Sequence, residues 1–488
     1  MDRRGGLSHI GYGEDMASLI RRFAAAEHFR SATVDELELG GDFCRRPLRP
    51  EDLEFIDFAV PAEAGTICDL PSLAAQRILR CIYDMQITRL PRSGNRKTLK
   101  RRAEFYNDAS RIAGAHLASF LERFAFGFLE QPYRVDAELS HTILRESFET
   151  FAREANTFAR SIRDGFLRGD FSMAELRFVF VQKWCLGATN HVSIARARAS
   201  GYFDLLPPEA WPRDGSDREE SDALARLAIA TDVNREPHTF WQFYLPTSLA
   251  ETNHLSALAA RPELSLALVG ASFIAEVEWQ SFAWMARHAC QDMGIAVPNG
   301  GGLRDLDCAT AGTTTRFARA LSAVEDAFGV CGLEEVSRGV EAAGRLARLA
   351  RLDLEKQLRW LASIDDYVEI ARRLDHHIRT QAPNIDRETF IEPREMCSTT
   401  HVHNDHRLVV IESGDMVFWG RPGMRFRMAP GDMILVPRGR LHGSSVESEQ
   451  CIYHQPIIPE EWVRPLIDEI DQRHDWPVQQ PADHMAMR

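Results

Sequence analysis

Apolar residues recur every three to four positions through most of the chain, then alternate in short runs near its C-terminal end. The first texture predicts helices and the second predicts strands. From Met16 to Leu129, stretches such as "MASLIRRFAAAEHF" and "RIAGAHLASFLERFAFGFL" are helical, broken by Pro-bearing loops such as "RRPLRPEDLEF". A second helical block follows "EQPYRVDAELS", with "TILRESFETFAREANTFARSIRDGF", "SMAELRFVFVQKWCLGATNHVSIARARA", "LALVGASFIAEVEWQSFAWMARHACQDMG" and "AAGRLARLARLDLEKQLRWLASI". This predicts a bundle of several helices. After "DHHIRTQAPNIDRETF" come runs rich in Val, Ile and Phe, separated by "SGD", "GRPG", "APGD" and "PRGR" turns. That is the signature of a small antiparallel β domain. The predicted fold class is therefore multidomain α plus β: N-terminal helices over 1–135, a helical bundle over 140–376, a β-barrel over 385–465 and an acidic, polar tail over 466–488.

Length and composition narrow the function classes. A chain of 488 residues exceeds one hydrophobic core,. With 58 basic and 71 acidic residues the net charge is -13, and the one strongly basic stretch, Arg89 to Arg102, reads as a solvated loop and helix start. Nucleic acid is not expected as a partner. Nine scattered cysteines without a CxxC pair point to a reducing compartment,. No secretion signal or apolar run of roughly 18 residues is present, so the expected location is cytoplasmic with no membrane partner,.

The candidate chemistry lies in "THVHNDHRLVVIESGDMVFW", Thr400 to Trp419. In an extended segment, His401 and His403 point to one face and can share a metal. Beyond them, "PGDMILVPRGRLHG" carries Gly431, five residues, Pro437, Arg438, Gly439, two residues and His442. This resembles the second motif of the cupin family, and HxH resembles the start of its first. Gly431 and Gly439 suit tight turns, and Pro437 fixes the backbone before His442. The cupin resemblance implies a β-barrel whose mouth holds one metal on His401, His403 and His442.

The glutamate usual four or five residues after the second histidine is replaced by Arg407 and Leu408. Arginine offers no lone pair. Three neutral imidazoles leave up to three positions open on an octahedral iron, which is room for a chelating substrate and dioxygen. Arg407 shares parity with the two histidines and can hold a substrate carboxylate as a fork, or sit as a charge on the barrel rim. His406 has the opposite parity and is expected as a surface or loop residue and not as a fourth ligand. Cys451 and Tyr453 share one face of "QCIYHQPII"; Cys451 is expected in the core, and Tyr453 either in the core or against substrate. His376 and His377 read as helix-end residues.

A helical bundle before a cupin with three histidines and no glutamate resembles the family of the N-nitrosating metalloenzyme of streptozotocin biosynthesis. That resemblance implies a homodimer formed through the N-terminal helices, a heme-oxygenase-like central domain with a diiron site, and one cupin Fe(II). It implies N-hydroxylation of an arginine-type guanidine, then oxidative rearrangement at the cupin to an N-nitrosourea. The diiron motif is only partly present. His238 stands in "NREPHTFWQF", but Thr231 occupies the expected glutamate position, with Asp232 beside it; Glu276 and Glu278 supply a second carboxylate. In "LRDLDCATAGTTTRFARAL", Asp307, Ala311 and Thr314 stand where His, Asp and His belong. Two readings follow: a degenerate domain kept as scaffold, or an altered site using Asp232, His238, Glu276 or Glu278, and Asp307.

The expected function is an iron-dependent cupin oxygenase of specialised metabolism, acting with dioxygen on an N-hydroxylated guanidine or arginine-derived small molecule. A lost diiron site would require a separate upstream N-hydroxylase. Two alternatives remain: non-redox cupin chemistry with Zn, Ni or Mn, since imidazoles accept these metals too, or a dimeric small-molecule-binding cupin without turnover.

Overall fold

The structure is a computed structural model, and it describes residues 56–85, 107–129, 139–213, 218–233, 237–297, 305–382, 384–394 and 400–476, with isolated positions before 107. The predicted helix "MASLIRRFAAAEHF", apart from Ile20, and the basic stretch, apart from Arg96 and Lys100, lie outside the described residues.

Helices α1 (Leu70–Asp84) and α2 (Asp108–Phe126) pack on each other through Ile78, Leu79, Leu117 and Leu121. The bundle begins with α3 (His141–Arg168), started by Ser140, whose side chain accepts from Ile143 N, and ended by Gly169 in the left-handed region,. Next come α4 (Met173–Phe180), opened by a Ser172/Glu175 capping box, and α5 (Leu186–Ala199),. A π-turn, Val181–Cys185, joins them; such turns often mark functional positions,. Helices α6 (Arg218–Ala230), α7 (Pro246–Ala259) and α8 (Ser265–Asp292) follow. The two segments read separately as "LRDLDCATAGTTTRFARAL" and "AAGRLARLARLDLEKQLRWLASI" are both parts of α9 (Leu306–Ala362), 57 residues long and broken at Gly329. Rings of Phe148, Phe273 and Phe317 lock α3, α8 and α9 together, with Phe148 and Phe317 centroids 4.4 Å apart. Helix α10 (Ile364–Gln381) closes the helical part. Among the described residues no single helix is long and apolar enough to cross a membrane; the apolar bent pair α7 and α8 carries most of its apolar side chains in the core.

The C-terminal part is antiparallel: β1 (Thr389–Pro393), β2 (His406–Ser413), β3 (Met416–Trp419), β4 (Phe426–Met428), β5 (Met433–Val436), β6 (Gly443–Val446), β7 (Gln450–His454) and β8 (Ile457–Ile458). Strand β2 pairs with β5, β7 and β8, and β7 with β1; β3 lies between β4 and β6 in the second sheet. The helical-plus-sheet class read from the residues is what the chain forms. The expected polar tail differs: α11 (Glu460–Arg473) runs across position 466, burying Val463 and Ile470, and Trp476 beyond it stacks near Phe171. Most of its polar residues lie towards solvent, so composition alone hid an amphipathic helix,.

Barrel and bundle share one continuous core. Trp360 and Leu361 of α9 are fully or nearly buried against the barrel, with Trp360 edge-on to Phe418 at 6.0 Å. The mouth of the barrel is thus set directly against the end of α9.

Candidate metal centre

His401 lies outside the strands and forms an isolated antiparallel bridge with His442, N to O at 2.8 and 3.0 Å in the two directions. The segment around Val402, whose side chain is fully buried, is thus a bridge and not a regular strand. His403 O accepts from Gly439 N at 3.0 Å, so the PRG turn is tied to the HVH segment by backbone. Gly431 and Gly439 both have positive φ, 91° and 74°, as tight turns at these positions require,.

The three imidazoles converge. Ring centroids are 4.8 Å apart for His401 and His403, 4.5 Å for His401 and His442, and 5.0 Å for His403 and His442; one nitrogen from each lies within 4.8 Å of the others. His442 Nδ1 is 2.9 Å from the Arg440 carbonyl, which can only accept, so Nδ1 carries the proton and Nε2 keeps its lone pair,. Phe418 stacks on the same ring at 5.2 Å. His403 Nε2 is buried without a protein hydrogen-bond partner among the described residues. Burial pushes His403 and His442 well below the ordinary imidazole range, reinforced by the neighbouring imidazoles. An orphaned, buried, neutral imidazole nitrogen facing two others is a donor set that fits a transition-metal ion.

Arg407 shares a sheet face with Ile411, and Ile411 pairs with Tyr453, so Arg407 and Tyr453 look the same way,. Arg407 is charge-paired with Glu388 and donates to Gln455 O at 3.1 Å, while its buried Nε has no hydrogen-bond partner among the described residues. It is neither a bare rim charge nor an uncommitted fork. Tyr453 is buried and stacked on Phe390 at 5.3 Å, and burial together with Glu392 pushes its phenol far up. Cys451 is fully buried. His406 is a correction: it is buried, with Nε2 2.6 Å from Glu460 and Nδ1 accepting from Arg438 N at 3.2 Å. Helix α11 supplies that cover, which parity could not show.

The second-site candidates do not come together as a set. Asp232 is exposed at the end of α6, 3.3 Å from Arg177. Asp307 is bound by Arg160 at 2.8 Å and by Asn156 at 3.2 Å. The His238 side chain lies outside the described residues. Glu276 and Glu278 do line one cavity, beside Lys183, Glu251 and Trp279. Each already has cationic company, however. Lys183 Nζ is 3.2 Å from Glu251 and 3.1 Å from Glu278; Arg351 reaches Glu278 at 3.1 Å; Arg316 pairs with Glu276. Burial raises Glu276 and Glu251, with Arg316 and Lys183 respectively opposing it. A divalent ion entering here would have to displace these cations. Sequence reading missed Lys183 and Arg351, which sit on helices far from the motif; Arg316 stood within the quoted "TTTRFARAL".

Residues 383–488 match the family described as AraC-like ligand binding domain. The chain is also 24% identical, over 420 residues, to a nitrosourea synthase from Streptomyces achromogenes subsp. streptozoticus, covering 84% of this chain and 88% of that one. The resemblance carried by the three histidines thus extends to a nitrosourea synthase over most of the length of the chain, with an AraC-like, cupin-type C-terminal part.

Proposed function

We propose that the chain is a cupin oxygenase of specialised metabolism that holds one Fe(II) on His401, His403 and His442 and oxidatively rearranges an N-hydroxylated, arginine-derived guanidine. The observation that carries this is the convergence of three buried or half-buried imidazoles with an orphaned nitrogen on His403. Similarity to a nitrosourea synthase supports the class of chemistry. Iron would supply the one-electron and dioxygen chemistry that no side chain here provides.

The residues of the chain do the rest. Three neutral ligands leave the metal charge uncompensated, which favours an anionic N–O chelate. His442 is held in the ligand tautomer by the Arg440 carbonyl, and Phe418 fixes its ring plane,. Arg407, through Nε, and Tyr453 face the barrel interior and are proposed to hold the substrate's carboxylate end. With cations against Glu276, Glu278 and Asp307, the guanidine arrives already N-hydroxylated by a separate enzyme. We further propose a homodimer.

The test is oxygen uptake by anaerobically iron-loaded protein, with product identified by mass spectrometry. N-hydroxylated methylarginine should be turned over to an N-nitroso or other N–N or N–O product, and His403→Ala should be inactive. Turnover of methylarginine itself to N-hydroxy product would overturn the division of labour. The AraC-like match favours a second reading, ligand binding without chemistry; stoichiometric retention of the hydroxylated compound without oxygen uptake would select it.

A further inference from the structure

The three histidines sit on two loops, 400–404 and 437–442, and neither loop is held by the barrel alone. Thr400, 1% exposed, precedes His401. Its carbonyl accepts from Arg77 Nη1 at 2.6 Å, its hydroxyl lies 3.0 Å from Arg77 Nη2, and its N–H donates to Gln242 Oε1 at 3.0 Å. Just after His403, Asn404 Oδ1 accepts the free helix-start N–H of Leu70 at 2.9 Å. In the other loop, Arg438 donates to Asp69, from Nη2 to Oδ2 at 2.8 Å and from Nε to Oδ1 at 3.1 Å. Arg440 donates to Asp353 Oδ1 at 2.8 Å, both side chains being buried, and Thr247 donates to the other oxygen of Asp353 at 2.7 Å. Immediately before His442, Gln357 imitates a strand: Oε1 accepts from Leu441 N at 3.0 Å and Nε2 donates to Leu441 O at 2.9 Å.

The donors and acceptors come from the start of α1 with its preceding Asp69, the 237–243 segment and α9, the last braced by Thr247 of α7, all in the helical part. They lie 80 to more than 300 residues from the histidines in sequence. All act on residues within four positions of a ligand, and Gln357, Arg77 and Thr400 are essentially inaccessible to water. A buried amide that supplies both hydrogen bonds of a backbone unit sets that unit's position, because water cannot take its place.

We propose that Gln357, Asp353 and Arg77 are positioning residues of the metal centre, so that the helical part serves as the outer wall of the cupin site. Bearing on the metal through Thr400, Arg440 and Leu441, they set the spacing of His401 and His442. The inference rests on the metal-centre reading and extends it to residues outside the barrel.

The test uses Co(II) as probe on the full chain, reading its dissociation constant and its visible d–d spectrum, with circular dichroism as a check on folding. Gln357→Glu keeps the acceptor for Leu441 N but sets an oxygen against Leu441 O. Thr400→Val is isosteric and removes the hydroxyl. Each should weaken Co(II) binding by about 10- to 100-fold and shift the spectrum. Phe317→Leu, in the distant half of α9, should lower the melting temperature and leave both readings as in wild type. Wild-type affinity and spectrum in both Gln357→Glu and Thr400→Val would overturn the proposal, and so would an equal loss in Phe317→Leu. Should Gln357→Glu unfold, Thr400→Val decides by the same criteria. No Co(II) binding by the wild-type protein would instead sink the metal-centre reading itself.

Discussion

Lys183 stands between a half-buried and a buried carboxylate, 3.2 Å from Glu251 and 3.1 Å from Glu278, at the wall of a cavity in the bundle. A side chain from the π-turn thus occupies the electrostatic place that a cation would take among clustered acids. Burial alone would lower its pKa, but the two glutamates outweigh burial and raise it. Lys183→Met removes the shared cation and leaves Glu251 without its partner. Stability should fall by about 3 kcal/mol, and Glu251→Gln in the same chain should restore part of it. Chemical denaturation of the two variants checks this; equal stability of the double and single variants would refute it.

Metal content separates the two parts of the chain. Protein loaded anaerobically with iron should hold about one ion per chain, and His403→Ala should hold none. Excess iron that survives the substitution would place a second metal in the helical part despite Arg316 and Arg351.

Substrate hold and metal hold should separate at Arg407. Because Arg407 is paired with Glu388 and is not a ligand, Arg407→Gln should keep iron stoichiometry while raising KM for a carboxylate-bearing substrate by about tenfold, the worth of one charged hydrogen bond,. An unchanged KM would remove Arg407 from the substrate site.

Acid should destabilise the protein partly through His254. This ring, on α7 with Phe126 5.4 Å away, is pushed by burial to about 4. In the unfolded chain an imidazole takes its proton near pH 6.5, whereas the folded one stays neutral until about 4,. The unfolded state therefore binds more protons in that window. This contribution is intact above about pH 6.5 and lost as pH falls towards 4,. Melting temperature measured without metal should drop between pH 7 and 4.5, and His254→Gln should flatten the slope. An identical slope in the variant would assign the loss to other groups.

Much of the site was legible because its signal is local. The offsets from Gly431 to Pro437 to Gly439 to His442 follow from one strand and one turn, whose backbone angles those residues prefer. The period-two spacing of His401 and His403 likewise needs only a locally extended chain, even though the segment is a bridge and not a strand. The change from helical to strand texture reports which positions must be buried, and burial patterns survive any particular packing.

What the sequence by itself determined, then, was the helical-plus-sheet class, the three histidines and the missing carboxylate ligand, all of them matters of residue type at short, fixed offsets. Tertiary structure alone decided that Arg407 is tied to Glu388, that His406 lies under α11, that cations face Glu276, Glu278 and Asp307, and that Gln357 pairs with Leu441. These contacts join residues far apart in the chain, from 19 positions for Arg407 and Glu388 to 147 for Arg160 and Asp307. Hydrogen bonds and ion pairs act over about 3 Å, and which distant groups meet at that range is set by how the whole core packs.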